Sequence, residues 1–369
     1  MNRMLILLPV ILVMAVIVYW QSGRVLSFYG VAVRPWKIRV VRLVVSVLCC
    51  LLCFQWRLSG MFLIHIIVMF VLADAIASLL CRLLKRRSNG KAYKIIRGAG
   101  RGGIVPVLIV CLMFGYGAYN MTQLVRTEYT VTSDKLSRNY RILLITDTHY
   151  DTIQSPDVIK NKIEEMNALQ PDMVVLGGDI VEEGTSKEAM EEIFQVLGSI
   201  EAKYGTYYVY GNHDKQPYTD QPAYTEEELE QAILSNGITI LKDQWVTIKD
   251  DILLAGRDDA AWGNQSGRAT VEELLQGADR ERYMIMLDHQ PIEAEENASQ
   301  GVDLELSGHT HAGQIFPVGY ISEWTGTLNY GEYQRGSCKV IVSSGATGWG
   351  YPIRTEGKCE YVVIDLKKR

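Results

Sequence analysis

Four apolar runs in the first third of the chain limit what it can fold into. They cover Met4–Trp20, Ile38–Phe54, Met61–Cys81 and Ile104–Leu124. Each approaches the roughly 20 residues that an α-helix needs to cross about 30 Å of hydrocarbon. Too few polar residues remain in them to give a soluble helix its wet face. The first run also lacks the small-x-small cleavage site of a removable signal peptide. Residues 1–126 therefore read as a bundle of about four transmembrane helices, with a linker and lead-in strand over 127–139. The second run is the weakest, because Arg42 lies inside it, near enough to one end to snorkel. Asp74 in the third run is costly in lipid and is a candidate functional group unless a Ser, a backbone group or Arg42 partners it.

Charge gives the bundle an orientation. Residues 1–129 hold 16 Lys and Arg but only two acids, Asp74 and Glu128, a net of +14, and the remainder nets −19. The loop after the first run carries Arg24, Arg34, Lys37 and Arg39, and the loop after the third carries Arg82, Lys85, Arg86, Arg87, Lys91, Lys94, Arg97 and Arg101. The opposite side has Arg3 and Arg57. Twelve against two puts both basic loops in the cytoplasm. Four spans then deliver residues 140–369 outside it, as the extracytoplasmic domain of an integral membrane protein, and an odd number of spans would reverse this. The acidic domain argues against duplex nucleic acid as a partner, since phosphate backbones demand basic surface.

From Tyr140 the pattern becomes short apolar strands alternating with amphipathic helices. Strands are expected at Arg141–Thr146, Met173–Leu176, Thr206–Tyr210, Tyr283–Leu287 and Leu304–Ser307. Helices are expected from Ser155-Pro156 to Leu169, over Lys187–Ile200 and over Thr225–Ser235. The predicted fold is a two-sheet α/β sandwich with helices outside.

A polar cluster follows each strand immediately. The clusters are Asp147-Thr148-His149, Gly178-Asp179, Gly211-Asn212-His213-Asp214, His289 and Gly308-His309-Thr310-His311, and they hold five of the six histidines. Strand ends are where α/β sheets build sites. Imidazole with carboxylate is the donor set of a transition-metal site. Without His213 the clusters offer seven ligands, too many for one ion and enough for two. Paired ions are the usual clamp for displacement at phosphorus. Mixed N/O ligation suits Mn, Fe, Co, Ni or Zn, so the cofactors expected are two divalent transition-metal ions.

These five motifs, in this order, resemble the calcineurin-like metallophosphoesterase superfamily. Gly308-His309-Thr310-His311-Ala312-Gly313-Gln314 is similar to the membrane-associated bacterial YkuE/YaeI-like phosphodiesterases, some of whose relatives cleave the pyrophosphate of UDP-diacylglucosamine. The chain departs from that branch at Ala312 and at Lys358-Cys359-Glu360. The resemblance implies one metal on Asp147, His149, Asp179 and His311, and a second on Asp179, Asn212, His289 and His309, with Asp179 bridging. It implies attack by a metal-bridging hydroxide, His213 as general acid, and Asp214 orienting the His213 ring. Asp151 is read as a solvated loop acid in preference to a support for the first cluster. The expected function is membrane-anchored hydrolysis of a phosphodiester or pyrophosphate, the anchor pointing to a lipid-linked substrate. A tethered nucleotide or cyclic-nucleotide phosphodiesterase is the runner-up, and a metal-binding membrane sensor without catalysis is the reading from another class.

Two further features remain. Cys338 and Cys359 both precede strand-like segments, so a disulfide between neighbouring strands is one expectation. Trp324, Tyr330, Tyr333, Trp349 and Tyr351 crowd the segment after the last cluster. Packing of the final strands is the favoured reading for them, over rimming a cleft or touching the bilayer.

Overall fold

The structure, a computed structural model, describes residues 3–53, 57–84, 90–261 and 267–369. Phe54 and three of the basic loop residues, Lys85, Arg86 and Arg87, lie outside the described residues. The chain divides into two compact units, Met1–Tyr116 and Gly117–Arg369.

The first unit is helical: α1 (Arg3–Phe28), α2 (Trp36–Cys53), α3 (Leu58–Leu84), α4 (Lys91–Arg101) and the start of α5 (Ile104–Met121). Among the described residues three helices are long and apolar enough to cross a membrane, through Ile11–Phe28, Leu58–Leu83 and Ile104–Met121. The second expected span forms a helix, α2, but carries Lys37, Arg39 and Arg42 in its first seven residues and falls outside that set. Arg42 does not serve Asp74. It reaches back to α1, donating to the Tyr19 carbonyl and to Ser22 Oγ (3.2 Å). Asp74 instead pairs with Arg24 (Nε–Oδ2 2.5 Å) and Arg101 (Nε–Oδ1 3.1 Å).

The second unit is the expected sandwich. One sheet has the order β1-β12-β2-β3-β4-β5, from Val125–Ser133 (β1), Glu360–Lys368 (β12), Tyr140–Ile145 (β2), Met173–Leu176 (β3), Thr206–Tyr208 (β4) and Ile238–Ile240 (β5). The other has the order β10-β11-β9-β8-β7-β6, from Gly331–Arg335 (β10), Cys338–Val342 (β11), Leu304–Ser307 (β9), Tyr283–Leu287 (β8), Ile252–Gly256 (β7) and Gln244–Ile248 (β6). The strands β2 to β5 run parallel, as do β7, β8, β9 and β11, so each set ends on one edge.

Both faces of each sheet are covered, which is why the strands read as unbroken apolar runs. Ile142, Leu144 and Val175 of one sheet meet Leu254, Ile285, Leu287 and Leu306 of the other in the central core. Leu143, Val174 and Leu176 point the other way, onto Met190, Ile193, Phe194 and Leu197 of α8 (Lys187–Gly198) and Ile233 of α9 (Glu226–Ser235). Ser186 caps α8 by accepting from Ala189 N–H, worth about 1 kcal/mol. Each buried apolar side chain of that helix contributes about 1.5–3 kcal/mol, so packing dominates its stability.

Three local expectations change. The helix from Ser155-Pro156 breaks in two, α6 (Asp157–Lys160) and α7 (Ile163–Ala168). The strands β5, β6 and β7 were not foreseen. No disulfide joins Cys338 and Cys359, which are free thiols, because β11 belongs to one sheet and Cys359 leads into β12 of the other.

Candidate metal centre

The site forms where the parallel strands of both sheets stop. Thr146 to His149 follow β2, Gly177 to Asp179 follow β3, and Val209 to Asp214 follow β4. From the second sheet, Asp288-His289 follows β8 and Gly308 to His311 follow β9. The chain turns sharply at each exit. Asp147, His149, Asp179, His309 and His311 all have positive φ, between 35° and 71°. Such angles cost L-residues about 1–3 kcal/mol each and persist only where surrounding bonds fix them. Here His309 N–H donates to both Asp147 oxygens at 3.1 Å, and His149 N–H to the Asp179 carbonyl at 3.1 Å.

The expected ligands form two groups. Asp147, His149 and His311 converge in one, and Asp179, His289 and His309 in the other, with ligating atoms of each group within 4.8 Å of one another. Asp179 stands between them, its Oδ2 lying 3.0 Å from His289 Nε2 and 3.9 Å from His149 Nε2. The Nε2 atoms of His149 and His311 face each other at 3.2 Å. Their Nδ1 atoms lie against Glu182 Oε2 (3.2 Å) and the Thr347 carbonyl (3.1 Å). The two Nε2 atoms therefore converge on one point, which suits a cation. His289 Nδ1 donates to the Gly177 carbonyl at 2.8 Å, leaving its Nε2 toward Asp179. Asn212 Oδ1 is buried without a hydrogen-bond partner. An orphaned buried oxygen beside this donor set fits a divalent metal.

Electrostatics point the same way. Burial, with His149 and Arg354 adding, pushes His311 down to about 3, so its ring is neutral and able to ligate. Burial and the neighbouring His289 lower His309. For Asp179 burial acts upward, but His289, His149 and His213 outweigh it and hold the carboxyl below the usual range. His289 is the converse: burial opposes its charge, and Asp179 raises it well above an ordinary imidazole.

His213 lies outside both groups. Its N–H donates to Asp179 Oδ1 (2.8 Å), and its ring stands 5.4 Å from that of His149. Asp214 does not orient it. The Asp214 carboxylate accepts from the N–H groups of Gly211 (2.6 Å), Asp179 (2.9 Å), Ile180 (2.8 Å) and Val181 (3.1 Å), tying the two ligand loops together. Burial and the nearby Asp179 push it up to about 6. The carboxylate on His213 Nδ1 is Glu183, at 2.7 Å. Burial acts against a charged His213, yet the Glu183 bond, with Asp179 and Glu182, raises it above an ordinary imidazole. Glu182 and Glu183 were missed from sequence, although two adjacent acids three and four residues beyond Asp179 were a visible cue.

The other sequence candidates separate. Asp151 is exposed, as expected of a solvated loop acid. Trp349 is half exposed and its ring lies 5.5 Å from that of His213, beside Tyr218 at 5.1 Å. Trp324 is 87% exposed, so neither tryptophan packs the final strands. Tyr330 and Tyr333 do pack there, Tyr330 donating to Glu360 and Tyr333 Oη accepting from the Asn329 and Tyr330 amides.

Residues 140–313 match the family described as calcineurin-like phosphoesterase. Over 241 residues the chain is 32% identical to a metallophosphoesterase of Helicobacter pylori strain J99, covering 65% of this chain and 63% of that protein. It is 28% identical over 266 residues to the Bacillus subtilis metallophosphoesterase YkuE, covering 69% and 90%. It is also 28% identical over 322 residues to a Danio rerio transmembrane protein with a metallophosphoesterase domain, covering 82% and 71%.

Proposed function

Residues 140–313 are a calcineurin-like metallophosphoesterase domain, and from that premise we propose that the chain is a membrane-anchored, dinuclear phosphodiesterase or pyrophosphatase acting on lipid-linked substrates. The observation that carries the reading is the pair of His/Asp groups with Asp179 between them and His213 standing outside both. Asp147, His149, Asp179 and His311 would hold one divalent ion, and Asp179, Asn212, His289 and His309 the other. Bound there, the ions supply Lewis-acid charge to phosphoryl oxygens and lower the pKa of water.

The side chains do the rest. Asp179 sits in reach of both groups, so one carboxylate fixes their spacing. Asp214 holds the Asp179 and Asn212 loops together by accepting four backbone N–H hydrogen bonds. Glu183 occupies His213 Nδ1 and favours the protonated ring. Its Nε2 is then the atom that hands a proton to the departing oxygen. Trp349 and Tyr218 flank that ring and offer flat apolar surface to the leaving group.

The anchor supplies the substrate class. Three helices qualify as spans, and relatives include transmembrane proteins of the same family. Both basic loops lie on one side only if α2 crosses as well, and its basic residues cluster at one end, where they can reach headgroups. We therefore place the catalytic domain outside the cytoplasm.

The test is hydrolysis by the purified full chain, loaded with Mn, Fe, Co, Ni or Zn, of phosphomonoesters, diesters, nucleotides and lipid pyrophosphates. Preference for a lipid-linked diester or pyrophosphate is expected. Preference for soluble nucleotides would overturn the lipid assignment, and no hydrolysis with both metals bound would overturn the enzyme assignment.

A further inference from the structure

The helical unit contains a second polar site, remote in sequence from the metal ligands. A cavity of about 250 Å³ is lined by Arg24 of α1, Ser78 and Arg82 of α3, and Tyr93, Arg97 and Arg101 of α4. That is below the roughly 300–1,000 Å³ of small-molecule pockets and on the scale of a headgroup. Four guanidinium groups face one space. Asp74 is buried and pairs with two of them, Arg24 and Arg101. It is also the sole acidic residue between Met1 and Tyr116. One carboxylate offsets one of four positive charges, so the cavity keeps an excess of three.

The packing that assembles these arginines is specific. A Cβ on Gly100 would lie 2.4 Å from Ala77 Cβ and 2.8 Å from the Ala73 carbonyl. The helices α3 and α4 therefore touch backbone to backbone, which brings Arg97 and Arg101 onto the face of α3 that bears Asp74, Ser78 and Arg82 at helical spacing. Asp74 then holds Arg24 and Arg101 in place, with a further bond from Arg24 Nη2 to Ser78 Oγ at 3.3 Å. Guanidinium forks match phosphate oxygens, and basic pockets among membrane helices suit anionic headgroups.

We propose that this four-arginine cavity binds a phosphate-bearing anion, for which an anionic phospholipid headgroup and a soluble phosphate are the two sources. Asp74 acts there as the internal counter-ion that positions two arginines and leaves Arg82 and Arg97 for the ligand.

The test uses the full chain in detergent. Native mass spectrometry measures retention of phosphatidylglycerol against phosphatidylcholine, and calorimetry measures binding of inorganic phosphate. The variants are R82Q/R97Q, the charge-matched control R34Q/K37Q outside the cavity, and R97K, which keeps the charge without the fork. Wild type and control should retain phosphatidylglycerol preferentially, and R82Q/R97Q should weaken it on the order of tenfold or more. R97K should fall between, which reads the site even if the double variant folds poorly. Inorganic phosphate that binds and displaces the lipid would identify the soluble source. A lipid preference unchanged in R82Q/R97Q and R97K, or lost equally in the control, with no phosphate binding, would overturn the proposal.

Discussion

Gly211→Ala tests whether the two ligand groups depend on backbone contact at the strand ends. A Cβ on Gly211 would lie 2.3 Å from Asp179 Oδ1 and 2.4 Å from Asp179 N. Reaching even a tight 3.0 Å contact requires about 0.7 Å of movement. Metal–ligand distances tolerate about 0.2 Å, and a displacement near 1 Å at a reacting centre costs about 10²-fold in rate. The side chain cannot simply swing away, because Asp179 Oδ1 also accepts from His213 N–H and Asp179 N–H donates to Asp214. The variant should therefore lose metal and at least about 10²-fold in turnover while the domain stays folded. Gly277→Ala is the control: its φ is 77° but nothing lies within 4 Å, so it carries backbone strain alone. Metal content, thermal unfolding and diester hydrolysis are measured on both. Gly211→Ala with full metal content and wild-type turnover would refute the claim that this glycine sets the ligand spacing.

Other consequences follow from the same geometry. His213→Ala should keep both metals and lose about 10²–10⁴-fold in rate for poor leaving groups, with nitrophenyl esters affected least; an equal loss across leaving groups would refute proton donation. Glu305 is a buried carboxyl on β9, pushed up to about 7 by burial and by Asp288. Because its folded pKa exceeds the unfolded value, stability falls as pH rises from about 4.5 to about 7 and is flat above. Glu305→Gln should thus stabilise by about 3 kcal/mol at pH 8 and by little at pH 4, read by thermal unfolding across pH; a pH-independent difference would refute it. A reporter active only outside the cytoplasm, fused after Arg369, should be active; an active cytoplasm-only reporter there would mean that α2 does not cross.

Much of the site was legible because its chemistry sits where periodicity changes. Met173–Leu176, Tyr283–Leu287 and Leu304–Ser307 are strands at the expected bounds, and candidate ligands follow each within a few residues. The strands β5 and β6 were hidden because they are three and five residues long and β6 is largely open to solvent, whereas β7 is a fully buried apolar run, Ile252–Gly256, that was legible in the sequence. Contacts across the chain were harder still. Asp214 adjoins His213 in sequence, but its carboxylate turns toward the amides of the Asp179 loop. Glu183 reaches His213 across 30 residues, which no spacing predicts. The partners of Asp74 lie 50 and 27 residues away on other helices, beyond local pattern.

Asp179 carries the central claim, because one carboxylate reaches both groups of ligands. The direct measurement is metal per chain in purified wild type and Asp179→Asn, determined on the same preparations as their hydrolytic rates. Two metals per chain in the wild type, with both sites emptied or badly depleted and hydrolysis abolished in the variant, is the predicted result. Two metals per chain in Asp179→Asn at wild-type occupancy would contradict a shared, dinuclear centre.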